Sequence, residues 1–215
     1  TIGTLGEYGT PEMPIPEGFF EVEYKGMQDR LPFPRQASSF YHWSKIHSSG
    51  NAFYCCQVWG LKATDIMQGV VHGIHTEETA QDERLITRFD FDECFGTMIN
   101  RACACLLIGH PMLPYGLGEQ TRGYIALRDS IQCLTLSVEK PPTEKDSVHG
   151  YRVLNQFDEC YSCNEVARRV LEVGAKLGMA TDITNIENLR VEKERHFYRP
   201  KHQKLYDLGF RPTHS

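Results

Sequence analysis

The sequence predicts an α/β protein built on a parallel sheet, and three observations predict it. An apolar run from Thr1 to Leu5 breaks into the turn-rich stretch Gly6-Glu7-Tyr8-Gly9-Thr10-Pro11. Ser38 or Ser39 then caps a helical stretch running to about Asn51. Strand-like runs follow from Phe53 to Gly60 and from Ala63 to Val71, with Gly69 and Gly73 at the exit. Strand, loop, helix, strand is the order in which a parallel sheet is built, because a parallel neighbour needs a crossover. The binding crevice of such a sheet lies beyond the carboxyl ends of its strands. Thr4, Tyr41 and the Gln68-Gly69-Val70-Val71 stretch are therefore expected to face it.

Residues 10 to 35, with Pro11, Pro14, Pro16, Pro32 and Pro34, read as a long irregular loop holding a short hairpin through Phe19 to Met27. Residues 75 to 93 are rich in Asp and Glu and read as a solvated excursion. A helix is expected from about Asp92 to Ile108, then a short strand from Met112 to Tyr115 and a Gly-rich turn from Gly116 to Gly123. That turn does not match Gly-x-Gly-x-x-Gly. Asp129 to Val138 reads as helix and Tyr151 to Phe157 as strand. Ser162-Cys163-Asn164-Glu165 is a capping box opening a helix that ends near Gly178, and a small helix from about Lys201 to Leu208 closes on Gly209.

A length of 215 residues suffices for a sizeable core, and a net charge of -5 leaves no electrostatic footprint for nucleic acid or an anionic membrane. No apolar run approaches the roughly 18 residues that span a bilayer. The chain opens at Thr1, inside a strand and without Met, so the true N-terminus is expected upstream. Eight Cys invite a disulfide or zinc reading, but only Cys160-x-x-Cys163 has chelate spacing, and no second pair completes it. Cys160 lies just ahead of a helix start, where a thiolate is favoured. Free, mostly buried thiols in a reducing compartment are the expectation.

The chemistry centres on Ser39-Phe40-Tyr41-His42-Trp43-Ser44-Lys45. On a helix, Tyr41 and Lys45 share one face about one turn apart. A neighbouring ammonium favours the phenolate, so the pair can act as a base well below the usual phenol range, as removal of a proton from a sugar hydroxyl requires. Ten Tyr among 215 residues, taken with the Lys present, give about 0.4 chance matches to Tyr-x-x-x-Lys, so the motif alone decides nothing.

Several further blocks, in order, give the motif its context. They are Gly3 to Pro11, Gln36 to Lys45, Ala63 to Val71, Phe95-Gly96-Thr97-Met98-Ile99-Asn100-Arg101, Gln120-Thr121-Arg122-Gly123-Tyr124 and Arg190-Val191-Glu192. Together they resemble the extended short-chain dehydrogenase/reductase superfamily of NAD-dependent epimerases and dehydratases. Within it they are most similar to the branch that forms UDP-sulfoquinovose, the sulfolipid head-group donor. The resemblance implies a partial Rossmann-type sheet with a smaller C-terminal nucleotide-sugar-binding α/β subdomain. It divides the chain into residues 1–75, the latter part of the NAD-binding domain, and 76–215, mainly the sugar-nucleotide part with elements returning to the first. The family's earlier half, with its Gly-rich turn, does not appear in this sequence.

Residue by residue, the resemblance implies Tyr41 as base and Lys45 as its partner on the nicotinamide ribose. Thr4 would contact the sugar 4-hydroxyl, and Gln68 and Val71 would contact substrate and nicotinamide. Thr97, Asn100, Arg101 and Gln120 would lie near the nucleotide sugar, and Arg122 and Arg190 would hold the pyrophosphate. The related dehydratases carry Thr-Asp-Glu where this chain has Thr4-Leu5-Gly6, so the usual acid and base for loss of water are missing. His42 is the candidate to protonate the departing 6-hydroxyl, because an imidazole titrates near neutrality. NAD, UDP-glucose and sulfite are the implied cofactor and substrates. A homodimer and a sulfite-supplying protein such as ferredoxin-dependent glutamate synthase are the implied partners. The compartment is the chloroplast stroma of a plant or alga, or a bacterial cytoplasm. Another nucleotide-sugar epimerase or dehydratase is the rival reading, followed by a binding module without activity.

Overall fold

The structure is a computed structural model that describes residues 1–93, 95–188, 193 and 195–213. The chain enters as β1 (Ile2–Thr4), tightens into a 3-10 turn (Leu5–Tyr8), and runs out to a hairpin of β2 (Phe19–Tyr24) and β3 (Met27–Pro32). Helix α1 (Phe40–Trp59) returns the chain to β4 (Ala63–Gln68) and the short β5 (Val70–His72). Helices α2 (Glu77–Gln81) and α3 (Met98–Ile108), β6 (Thr121–Ala126) and α4 (Leu127–Glu139) follow. The last elements are β7 (Tyr151–Gln156), β8 (Glu159–Ser162), α5 (Cys163–Lys176) and α6 (Gln203–Asp207).

Strands β1, β4 and β7 form a wholly parallel sheet in that order. All six residues of β7 are buried, as expected for a strand covered on both faces. Its alternation divides the interior. Val153 packs with Leu5, Tyr8, Phe19, Phe33 and Met67, whereas Leu154 packs on the other side with Ile125, Cys133, Leu205 and Phe210. Fully burying a side chain of this kind is worth about 1.5–3 kcal/mol, so these two clusters fix where the sheet lies. A second sheet, β5-β6-β8, is mixed, with β5 parallel and β8 antiparallel to β6. Gly69 links the sheets: a Cβ there would lie 2.5 Å from Gly123 O and 3.2 Å from Gln156 O. The two backbones can approach only because residue 69 has no side chain.

Several local expectations give way. Phe53 to Gly60 is helix rather than strand, because α1 continues to Trp59 and stops at Gly60, which adopts φ 65° and ψ 23°. Ser49, Ala52, Phe53 and Cys56 recur at helical spacing on its inner face, so the aromatic and branched residues there serve helix packing. Helix α3 starts at Met98 rather than Asp92. Thr97 caps it, and Asp92 closes a turn instead by accepting from Phe95 N at 2.8 Å. Met112 and Tyr115 make isolated parallel bridges to Ile183 and Ile186, not a strand, and Thr121 to Gly123 belong to β6 rather than to a turn. The Cys160 thiol does not become a thiolate: burial, with help from Glu159, pushes it up to about 12. Among the described residues Cys55, Cys56, Cys103, Cys105, Cys133 and Cys160 are free thiols, and no helix is long and apolar enough to cross a membrane.

The long loop is pinned to the C-terminal segment. Ile15 N donates to Arg199 O and Lys201 N to Ile15 O, while the Asn155 amide donates to Pro16 O and Lys201 O. Glu17, 8% exposed, accepts from Lys204 N at the start of α6. Burial raises its carboxyl from 4.5 to about 7, outweighing the pull of Lys204. A folded-state pKa above the unfolded value means stability that is full below about pH 4.5 and is lost as pH rises through 7. Glu17→Gln keeps an acceptor and removes the charge. It should therefore stabilise the protein at pH 8 by on the order of 3 kcal/mol and leave pH 4.5 nearly unchanged. Unfolding midpoints at the two pH values measure this, and equal gains at both would refute it.

Candidate active site

Register brings the first site residues together. Thr4 pairs with Gln68 across β1 and β4, and Gln68 with Gln156 across β4 and β7, so three polar residues stand abreast at the carboxyl ends of the sheet. Gln68 Nε2 donates to Ser130 Oγ at 3.1 Å, and Ser130 Oγ donates to Gln156 Oε1. The amide of Gln68 is thus fixed by a buried chain that begins on α4.

Thr4 is held just as firmly. Its Oγ1 accepts from Gly6 N at 3.2 Å, and its own N–H donates to Glu7 Oε1 at 3.1 Å, a capping box on the 3-10 turn. Glu7 is fully buried. Arg35 donates to its other oxygen at 2.5 Å, and Ser49 Oγ donates to Oε1. Burial raises the Glu7 carboxyl despite the opposing pull of Arg35. Arg35 also lies 3.9 Å from the buried Asp65, which accepts from the Tyr151 hydroxyl at 2.5 Å. A guanidinium, two carboxylates and a phenol therefore underpin the strand end that carries Thr4.

Helix α1 supplies the rest. Ser39 caps it by accepting from His42 N at 3.2 Å. Tyr41 is 58% exposed, its ring centroid 5.2 Å from that of His42 and 5.8 Å from Lys45 Nζ. Lys45 Nζ donates to Ile2 O at 3.1 Å, which draws the first turns of α1 onto β1. His42 turns inward. Thr4, His42, Gln68 and Arg122 line one cleft of about 570 Å³, together with Val70 and Tyr198. Tyr41 and Lys45 do not line it; they stand beside His42 on the open face of the helix.

A smaller cleft of about 180 Å³ adjoins the first, sharing Val70 and Arg122, and adds Thr97, Arg101 and Gln120. Arg122 Nη1 donates to Thr121 O at 2.9 Å and meets His196 Nδ1 at 2.5 Å. Arg101 holds the preceding loop through Asp92 O and Gly96 O, and Asn100 does so through Asp90 O. Asn100 is thus a loop brace and does not line either cleft. Gln120 is buried. Its Nε2 donates to Tyr115 O, while its Oε1, itself buried, has no hydrogen-bond donor among the described residues. Val71 packs on the cluster that holds Ile125 and Leu154, and Val70, its neighbour along β5, lines the cleft. Arg190 lies outside the described residues.

Lys193, Tyr198 and Gln36 line the larger cleft without having been expected there. Nothing in their local pattern signals it, since the strap and loop carrying them are brought over the site by long-range pairing. Gly6 also lines it, and its place beside Thr4 was the available clue.

No protein-family model matches the chain. It is 48% identical over 211 residues to the UDP-sulfoquinovose synthase of spinach, named as chloroplastic, covering 98% of this chain and 43% of the relative. It is 47% identical over 212 residues to the UDP-sulfoquinovose synthase of Sulfolobus acidocaldarius, covering 98% and 53%. The chain thus spans about half the length of the curated relatives it matches. Among solved structures, the UDP-glucuronic acid 4-epimerase of Bacillus cereus, in complex with UDP-glucuronic acid and NAD, superposes with a TM-score of 0.69 at 18% identity. That match covers all of this chain and 56% of the epimerase. The NAD-bound UDP-glucose 4-epimerase of Thermus thermophilus gives 0.65 at 20%, over all of this chain and 58% of the other. The α/β fold with its Rossmann-type parallel sheet is shared with these structures.

Proposed function

From a chain that matches UDP-sulfoquinovose synthases along almost its whole length, we propose that the protein carrying it is such an enzyme. In this reading it converts UDP-glucose and sulfite to UDP-sulfoquinovose by transient oxidation at C4, loss of water, sulfite addition and re-reduction. The observation that carries this is the cleft holding Thr4, His42, Gln68 and Arg122 together beside the Tyr41 and Lys45 pair. Residues 1–75, joined by β7, form the cofactor side, and most of 76–215 the sugar-nucleotide side.

The residues present fit the nicotinamide end of NAD. Tyr41 is exposed, Lys45 Nζ lies 5.8 Å from its ring, and the pair stands beside His42, which lines the cleft. NAD, when bound, supplies the hydride acceptor at C4 and returns the hydride at the end. Tyr41 takes the proton from the 4-hydroxyl, and Lys45 is its charged partner one helical turn on. Thr4, fixed by Glu7, hydrogen-bonds the oxygen at C4. The ketone formed there acidifies the C5 proton, and His42 protonates the departing 6-hydroxyl. Gln68 orients the sugar. Arg122 and Arg101 offer guanidinium groups to the pyrophosphate, whose grip positions C4 against Tyr41.

The enzyme would act as a homodimer and draw sulfite from a supplier such as ferredoxin-dependent glutamate synthase. In a plant or alga the chloroplast stroma is its place, in keeping with the name of the spinach relative. Leu5 and Gly6, where dehydratases carry two carboxylates, argue against release of a 4-keto-6-deoxy sugar. The full-length protein should consume UDP-glucose with sulfite and form a sulfonated nucleotide sugar. UDP-galactose or a stable 4-keto-6-deoxy product, with sulfite left unincorporated, would overturn the reading.

A further inference from the structure

Gln68 reaches the larger cleft from the carboxyl end of β4, and a single backbone carbonyl decides which end of its amide the cleft meets. That carbonyl is Ser130 O, near the start of α4. A carbonyl can only accept. Gln156 Nε2 donates to it at 3.1 Å, so Gln156 turns its NH2 group there and its Oε1 toward the Ser130 hydroxyl. The hydroxyl has one proton, and it goes to that oxygen, at 3.2 Å. Only lone pairs remain on Ser130 Oγ.

The atom of Gln68 that lies 3.1 Å from Ser130 Oγ must therefore be the donor, Nε2. Its Oε1 is the end left for the cleft. Reversing the amide would set a carbonyl oxygen against lone pairs. Ser130 is 3% exposed and Gln156 fully buried, so no solvent repairs that loss. The direction of the chain is thus fixed from its buried end outward.

Register says what the oxygen meets. Thr4 and Gln68 pair across β1 and β4, roughly 4.8 Å apart as parallel neighbours are. With Thr4 on the oxygen at C4, the next hydroxyl along the sugar ring, at C3, falls to Gln68. A hydroxyl can donate to the waiting oxygen, whereas an ionised phosphate oxygen would be repelled by it. We propose that Ser130 is a positioning residue that holds Gln68 as an acceptor for the 3-hydroxyl, so that the cleft selects a sugar with a donor there. This rests on the function proposed above. Ser130 acts only through Gln68, since it lines neither cleft itself.

The test uses the full-length protein and direct binding titrations of UDP-glucose, its 3-deoxy-3-fluoro and 2-deoxy-2-fluoro analogues, and UDP. Fluorine cannot donate. The unaltered protein should bind the 3-fluoro analogue about tenfold more weakly than UDP-glucose, and the 2-fluoro analogue within about threefold of it. Ser130→Ala frees the Gln68 amide to turn, so the 3-fluoro penalty should fall to about twofold. Affinity of that variant for UDP, which lacks the glucose ring, should be unchanged, and this also certifies that it is folded. Gln68→Ala leaves the Ser130 and Gln156 pair intact and should erase the penalty equally, and adding Ser130→Ala to it should change nothing further. Ser130→Thr, which keeps the hydroxyl, should keep the penalty. A merely structural role would weaken UDP and all three sugars alike in Ser130→Ala. That result, the absence of a 3-fluoro penalty in the unaltered protein, equal penalties from both analogues, or a penalty retained without Ser130 or without Gln68 would each overturn the proposal. If Ser130→Ala does not fold, Gln68→Ala and the unaltered protein decide it by the same comparison. Failure of the unaltered protein to bind UDP-glucose would instead overturn the function on which it rests.

Discussion

Tyr41→Phe is expected to lower turnover by about 10²–10⁴-fold, the usual worth of a positioned proton acceptor. Only the hydroxyl is lost, so the ring keeps its place beside His42, at 5.2 Å, and Lys45, at 5.8 Å. In the proposed reading, grip on the nucleotide sugar comes from Arg122 and Arg101 in the adjoining clefts, so KM should move by no more than about threefold. A loss confined to kcat marks an interaction made in the transition state. Steady-state kinetics on the full-length protein, with a direct binding titration of UDP-glucose, would separate the two quantities. Turnover within a few-fold of normal would remove Tyr41 from the chemistry.

Arg35→Met should be the most damaging substitution to stability, at about 3–5 kcal/mol, the cost of leaving a buried charge without its partner. Glu7 and Asp65 have fully buried side chains, and Arg35 is the cation that meets both. The loss should depend on pH. The Glu7 carboxyl is already raised by burial against the pull of Arg35, and removing that pull raises it further. A group whose folded pKa is raised gives stability that is present at low pH and lost as pH rises through it. The variant should therefore be closer to normal at pH 5 than at pH 8. Urea unfolding at both values checks it, and a cost independent of pH would show that Glu7 is not the group left uncompensated. Because Glu7 also holds Thr4 N–H, the same variant should lose turnover at pH 8 beyond what its unfolded fraction explains.

Much of the first sheet was legible because its signals are local. Gly-rich exits after β1 and β4, the Ser39 cap and the Ser162–Glu165 capping box all act within a few residues of themselves. The Phe53 to Gly60 run misled because aromatic and branched residues suit a pleated surface and a packed helix equally well. Periodicity against a distant core, not propensity, settles which. The facing of Val70 and Val71 was not legible for a similar reason. Which face of a two-sided strand meets the cleft depends on register, and one position along β5 reverses it. Lys193 and Tyr198 carried no signal at all, since the segment bearing them reaches the cleft through pairing of Ile15 with Pro200.

By itself, the sequence determined the α/β class, the order of the candidate site residues along the chain, and the residue types that the proposed proton transfer needs at Thr4, Tyr41, His42 and Lys45. Only the tertiary structure decided what those residues face. It set Thr4 beside Gln68, turned Val70 rather than Val71 to the cleft, and made Gly6 a space for an imidazole rather than a turn residue. The physical reason is that side-chain chemistry and local propensity are written residue by residue. Proximity between Gly6 and His42 is set by how a helix packs on a strand, which no window of sequence contains.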